Sequence, residues 1–368
     1  MDYQRFTQYI YGRHAWGPLF RNGDLPPLEF TDSDSSIYIE ESLEVMGVGD
    51  NDIKNLDIFN IGVGRESIYF QKKGAKSVTY LDICPENTQN VIKYCENKSI
   101  NNIEIINANI QEYNDLPSNK FDIIFLCGIY QHIKNPSDAL ARIVKSLKPK
   151  GKMYMGFYRS GEWKYFVIAI IRILLEDNMF SKVKKYGAIL ESFGELNHYQ
   201  TSRLMDDFFI PCMHKFHPND IISDIKKLGA SVFHFDNDFR DYNHESNEYF
   251  SIGGDRIYIT KEKESNYEIE EISKNLKTKS GIDQITEVDY KESIISENID
   301  LAKEIRMRYD LGEVSSDEIV LLTLSLYNLT RPYKPSECEY YMETKRIGRN
   351  KVMNKILSNF TKQIISPI

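Results

Sequence analysis

The sequence predicts an α/β fold: a doubly wound, mostly parallel seven-stranded sheet with an antiparallel edge strand, a helical lid insertion and a C-terminal helical extension. Three observations predict it. From Leu56 to Tyr158 short apolar runs alternate with helical patterns, and such alternation builds a parallel sheet covered on both faces. From Gly161 to Cys212 the pattern is helical with few strand signals. The alternation then resumes, and its last two strands have no long helix between them, as an antiparallel pair requires.

The elements follow in order. Leu56–Ile61 is an apolar run that ends in glycines, and Glu66–Lys73 reads as a helix. Ser77–Asp82 is a second strand, Glu86–Cys95 a helix, Ile103–Ile106 a third strand and Phe121–Leu126 a fourth, almost wholly apolar. Pro136–Leu147 is a helix and Met153–Tyr158 a fifth strand. After the helical insertion, Pro218–Leu228 is a helix stopped by Gly229, and Ser231–Phe235 and Arg256–Thr260 are the last strands. Ahead of this core, residues 1–50 form an aromatic-rich arm that reads as a lid. Residues 51–262 are the core, with 161–212 inserted, and 263–368 the extension. Within the extension, 261–297 is charged and weakly patterned, a linker or exposed helix. Ser315-Ser316-Asp317-Glu318 matches a capping box ahead of the apolar run Ile319–Leu329.

The chain has 368 residues, 41% of them apolar and 27% charged, which fits a soluble globular protein with a sizeable core. A net charge of -8 argues against a generic polyanion binder. The most apolar run, Tyr165–Leu175, is broken by Arg172 and is shorter than the roughly 20 residues a bilayer span needs. The five cysteines form no C-x-x-C, and no secretion signal opens the chain, so free thiols and a cytoplasmic location are expected.

Chemistry concentrates where the first strand turns into its helix, at Asn60-Ile61-Gly62-Val63-Gly64-Arg65-Glu66-Ser67. Glycines there permit positive φ and close approach of a ligand to the backbone, and the helix start offers unpaired N–H groups. Asp82 ends the next strand, 18 residues after Gly64. In doubly wound nucleoside-binding folds an acid at this place accepts hydrogen bonds from ribose hydroxyls.

The stretch from Leu56 to Ser67, followed by Val78–Asn87, resembles the first two motifs of class I S-adenosylmethionine-dependent methyltransferases. Asn119–Ile133 is similar to the family's fourth strand and following loop, and Leu147–Met155 to its helix-to-fifth-strand turn. The resemblance covers roughly residues 50–160 and 213–262. It implies S-adenosyl-L-methionine as cofactor, held by Asn60, Gly62, Gly64, Asp82, Ile83, Asn109, Ile110 and Cys127. The chain departs from the family's pattern at three places: an acid is usual at Asn60, a third glycine at Glu66, and an aspartate at Asn109. Asn60 is expected to accept a hydrogen bond from the cofactor's ammonium without charge assistance, and Asn109 to meet the adenine amino group through its carbonyl oxygen.

By the same resemblance, the loop Cys127–His132 lies beside the methyl group, which makes His132 a candidate base or a residue that caps or packs the loop, and Tyr130 a residue that lines the pocket or simply packs. The segment Asp206–Pro218 is similar to a stretch found before the penultimate helix in many small-molecule methyltransferases. It supplies His214 as the main candidate for base or substrate contact and His217 as a second contact or a helix cap. Trp16 is expected over the acceptor as part of the lid. A His214-x-x-His217 metal site lacks further ligands, so no metal is expected.

The reaction this implies is methyl transfer to an oxygen or nitrogen of a small molecule, such as a sugar, a lipid-linked molecule or a secondary metabolite. Alternatives are RNA methylation, favoured only by the basic tail Lys345–Lys362; a catalytically inactive cofactor-binding scaffold, suggested by Asn60, Glu66 and Asn109; and a dehydrogenase, whose glycine fingerprint Gly62-x-Gly64-x-x-Ser67 nearly matches. A nucleic acid partner is not expected, and the sequence shows no transmembrane segment. A homodimer contact is one reading of the tail.

Overall fold

The computed structural model describes residues 5, 7, 8, 33–62, 64–160, 163–174, 210–236, 240–243, 248–251, 254–279, 292–315, 318, 319 and 322. The chain divides into two compact units. One comprises Met1–Arg159, Ile210–Phe239 and Gly254–Ile282; the other comprises Ser160–Phe209, Arg240–Gly253 and Asp283–Ile368. The strands, in chain order, are β1 (Asp57–Ile61), β2 (Ser77–Asp82), β3 (Ile103–Asn107), β4 (Phe121–Leu126), β5 (Leu147–Tyr158), β6 (Ala230–Asp236), β7 (Arg240–Asn243), β8 (Glu248–Ser251) and β9 (Gly254–Lys261). The helices are α1 (Ser33–Val45), α2 (Asp50–Ile53), α3 (Arg65–Lys72), α4 (Pro85–Asn97), α5 (Pro136–Ser146), α6 (Trp163–Leu174), α7 (Pro218–Lys227), α8 (Ile269–Ser273) and α9 (Glu292–Asp310).

In the first unit seven strands form one sheet in the order β3-β2-β1-β4-β5-β9-β6. β1 to β5 are parallel. β9 runs antiparallel to both β5 and β6, so the expected antiparallel pair forms one edge, with β9 inside β6. The chain reverses direction of travel across the sheet between β3 and β4, which leaves β1 and β4 as neighbours. That topological switch places a crevice at the carboxyl ends of β1 and β4.

Side chains of successive strand residues alternate between the two faces, and both faces are apolar. Phe59, Ile61, Ile124, Leu126, Met153, Met155, Ile257 and Ile259 pack with α5 and α7 residues such as Leu140, Val144, Ile221 and Ile225. Ile58, Ile123, Phe125, Tyr154 and Tyr258 pack on the opposite face with Ile39, Leu43, Tyr69 and Phe70 of α1 and α3. α4, α5 and α7 each open with a proline, whose missing N–H costs nothing at the first helical position.

Residues 263–279, read from sequence as part of a linker, belong to this unit. Tyr267 donates its hydroxyl to the Ala141 carbonyl (2.9 Å), and the fully buried Asp224 accepts from the backbone N–H groups of Lys277 (2.7 Å) and Thr278 (2.8 Å). Charged residues face water on α8 while Leu276 is buried, which is why the segment looks weakly patterned.

In the second unit, the β7–β8 hairpin is a feature the sequence reading missed. There the Ser315–Glu318 capping box forms as expected: the Ser315 N–H donates to Glu318 Oε2 (2.8 Å) and the Glu318 N–H donates to Ser315 Oγ (3.2 Å). No helix of the described residues is long and apolar enough to cross a membrane.

Candidate active site

Strand register sets the site. Leu81, Ile61, Leu126, Met155, Ile257 and Phe235 are successive partners across the sheet. One residue further toward the carboxyl ends of the parallel strands stand Asp82, Gly62, Cys127 and Gly156, with Arg256 and Asp236 beside them on β9 and β6. At about 4.8 Å between strands, four of these steps make a polar ledge of roughly 19 Å from Asp82 to Arg256. Apolar layers lie immediately beneath it.

Asn60, Gly62, Gly64 and Asp82 come together here as the sequence implied. Gly62 has φ +136° and Gly64 φ +91°, conformations that glycine adopts readily. A Cβ on Gly64 would stand 2.7 Å from Val91 Cγ2 and 3.1 Å from the Tyr80 ring, so this glycine is also demanded by packing. α3 starts immediately after it, with Gly64 as N-cap.

Asn60 is fully buried. Its Oδ1 accepts from Ser67 Oγ (2.8 Å), which turns Nδ2 outward from that bond, and Nδ2 has no partner among the described residues. The sequence reading expects Asn60 to accept from an ammonium; the atom the structure leaves without a partner is its Nδ2 donor.

Asp82 is 7% exposed. Its Oδ1 accepts from the Cys84 N–H (2.6 Å), and its Oδ2 from the Tyr80 hydroxyl (3.2 Å) and Asn87 Nδ2 (3.2 Å). Burial lifts its pKa from 3.8 to about 7, against the downward pull of those three donors. Ile83, half-buried, follows it, and its carbonyl accepts from Gln8 Nε2 (3.0 Å), so the described part of the N-terminal arm lies against this end of the ledge.

Asn109 and Ile110 are both buried just past β3. The Gln111 N–H donates to Asn109 Oδ1 (3.3 Å), which leaves Nδ2 as the amide's partnerless group. The sequence reading expects a contact through the carbonyl; the group left without a partner is the donor, of a kind that suits a ring nitrogen.

After β4, Cys127 is half-buried, and burial together with the charge of Glu66 pushes its thiol up to about 12. Gly128 takes φ +66°, and Tyr130–His132 forms one 3-10 turn. Tyr130 is fully buried and stacks on Phe216 at 4.8 Å within the α5–α7 side of the core. It therefore packs, the second of its two expected roles, rather than lining a pocket. His132 is buried, its Nδ1 3.0 Å from the Cys212 carbonyl and its ring edge-on to Tyr158.

The chain returns at 210–216 alongside this loop: the His214 N–H donates to the Gln131 carbonyl (2.7 Å) and the Phe216 N–H to the Tyr158 carbonyl (3.0 Å). His214 is thus brought beside His132. Burial and the neighbouring His132 lower its pKa, against the favouring carbonyls of Lys134 and Ile133. Its Nε2 is buried without a hydrogen bond among the described residues. His217 is exposed and is the N-cap residue of α7, but its side chain makes no capping bond. Trp16 lies outside the described residues. Among those described, no three His, Cys, Asp or Glu side chains converge as metal ligands.

Two residues that sequence reasoning did not place in the site also meet here. Tyr38 of α1 donates its hydroxyl to the Glu66 carboxylate, and Arg256, 6% exposed, lies beside Tyr154 and Tyr258. Both contacts join segments far apart in the chain, and no local pattern announces them.

The fold and this ledge define a doubly wound nucleoside-binding domain. Residues 59–155 match the family described as "Methyltransferase domain". Residues 59–155 thus carry a methyltransferase domain, whose cofactor is S-adenosyl-L-methionine. Similar solved structures include magnesium protoporphyrin IX methyltransferase from Synechocystis PCC 6803 (13% identity, 71% of this chain and 100% of that one, TM-score 0.42). Others are methyltransferases from Methanosarcina mazei (15%, 56% and 93%, 0.38) and Mesorhizobium loti (12%, 60% and 96%, 0.39). No curated protein matches. The residues present fit the cofactor: buried partnerless donors at Asn60 and Asn109 flank the carboxylate of Asp82, and each suits a polar group of a nucleoside amino acid.

Proposed function

We propose that this protein transfers the methyl group of S-adenosyl-L-methionine to an oxygen or nitrogen of a small molecule. The observation that carries the reading is His214, a half-buried imidazole held against the loop that follows β4, with its pKa lowered by burial and by the neighbouring His132. An O–H or N–H acceptor must lose a proton as it is methylated, and a neutral imidazole takes one at neutral pH. When bound, the cofactor supplies an electrophilic methyl on a sulfonium. The protein then positions: Asp82 receives the ribose hydroxyls, Asn109 donates to the adenine, Ile83 and Ile110 supply apolar contact with the base, and the turn at Gly62 and Gly64 follows the rest of the cofactor. His132 braces the 210–216 segment through the Cys212 carbonyl and so positions His214.

The test is a methyl-transfer assay with labelled cofactor against small alcohols, phenols, amines and unstructured RNA. Transfer to small acceptors is expected, and His214→Ala should slow it by roughly 100-fold while S-adenosylhomocysteine binds as before. Transfer confined to RNA, or an unchanged rate in the variant, would contradict the proposal.

A further inference from the structure

Glu66 occupies the second position of α3 and is 3% exposed. Its carboxylate accepts from the Tyr38 hydroxyl, and no lysine or arginine pairs with it among the described residues. Its charge is felt by Tyr38 of α1, Tyr80 of β2 and Cys127 after β4, with the neighbouring Arg65 acting in the opposite sense on Tyr38 and Cys127. A buried carboxylate with one neutral donor and no cation is costly, by several kcal/mol on general grounds. Two other buried acids of the same unit have cationic partners: Asp255 pairs with Arg159 (3.3 Å), and Asp224 with Lys227 (3.2 Å) and two backbone N–H groups. Glu66, like Asp82, has no cationic hydrogen-bond partner among the described residues, and it stands two residues past Gly64.

Asn60 supplies the second observation. It lies beside Glu66, and its Oδ1 accepts from the next residue, Ser67. Its buried Nδ2 has no partner. The neighbourhood thus offers one negative acceptor and one neutral donor, the complement of an ammonium and a carboxylate on one carbon.

We infer that Glu66, oriented by Tyr38, binds the α-ammonium of the cofactor's amino-acid end. This rests on the cofactor site described above. It assigns to a side chain on α3 the charge that Asn60 of β1 cannot supply, and it makes α1 part of the cofactor site through Tyr38.

Calorimetric titration separates the parts. S-adenosylhomocysteine carries the ammonium without the sulfonium, 5′-methylthioadenosine carries neither, and S-adenosylmethionine carries both. Glu66→Gln should weaken S-adenosylhomocysteine about tenfold or more and leave methylthioadenosine unchanged, which also shows that the variant is folded. Tyr38→Phe should weaken S-adenosylhomocysteine about threefold, again sparing methylthioadenosine, and it carries the test should the glutamine variant fail to fold. An unchanged S-adenosylhomocysteine affinity in both variants overturns the inference and leaves the nucleoside site standing. A loss confined to S-adenosylmethionine overturns it in favour of the sulfonium. Failure of the wild type to bind any of the three removes the cofactor reading itself, and this inference with it.

Discussion

Asp57 and Asp82 lie on neighbouring parallel strands at opposite ends of one sheet, and their carboxyl groups are held in opposite ways. At the amino end, Asp57 accepts from Lys148 (2.9 Å), Lys76 (3.0 Å) and Ser77 (2.7 Å), and Lys148 also reaches Asp122 (2.7 Å). Burial acting on Asp57 is outweighed by these partners, and its pKa falls to about 2. At the carboxyl end, burial dominates, no cation among the described residues faces Asp82, and its pKa rises to about 7. Glu66 and the free amides of Asn60 and Asn109 complete the second region. One end of the sheet is closed electrostatically by the chain itself. The other holds its polar groups in waiting, as a binding site must, at a cost in stability that a ligand recovers.

The comparison can be broken first at Asp82. Asp82→Ala should weaken S-adenosylhomocysteine at least about tenfold, the worth of hydrogen bonds to a charged acceptor, whereas Asp57→Ala should leave affinity unchanged; equal effects in titration would erase the distinction. The two ends should also differ in pH dependence. Asp82, whose folded pKa lies above its unfolded value near 3.8, contributes stability below about pH 4 that is lost as the pH rises toward 7. Asp57 is depressed, so its contribution is present above about pH 4 and lost as the pH falls toward 2. Thermal melts of the ligand-free protein should show Asp82→Asn removing the decline between about pH 4 and 7 and Asp57→Asn removing the decline below it.

Smaller effects sharpen the picture. At neutral pH, Asp57→Asn should cost about 1–2 kcal/mol in chemical denaturation, since the pairs it breaks are only partly buried. Asn109→Ala should weaken adenosine-containing ligands by about threefold to fivefold, one neutral hydrogen bond. A tenfold loss or more would mean that Asn109 does more than donate once.

Much of this was legible in the sequence because it is locally encoded. The seven strands of the main sheet follow from apolar runs bounded by glycine and proline, and the Gly62–Gly64 turn and Asp82 sit where strand ends put them. What escaped is tertiary. Tyr38 reaches Glu66 from a helix preceding β1, and Arg256 arrives on a strand near the end of the unit; no spacing links them to the turn. Which atom of Asn60 and Asn109 is left without a partner is also beyond the sequence, because the direction of an amide is set by its neighbours, Ser67 Oγ and the Gln111 N–H, and not by its own identity. From its place after β4, Tyr130 reads as a lining or a packing residue. The 3-10 turn rotates it into the core against Phe216.

The central claim is that the open end of the sheet seats the nucleoside, with its sugar on Asp82. A crystal structure of the full chain with S-adenosylhomocysteine tests it most directly. The account predicts both ribose hydroxyls within about 2.7 Å of the Asp82 carboxylate, hydrogen-bonding distance. A ribose elsewhere, with Asp82 still bonded only to Tyr80, Cys84 and Asn87, would contradict it.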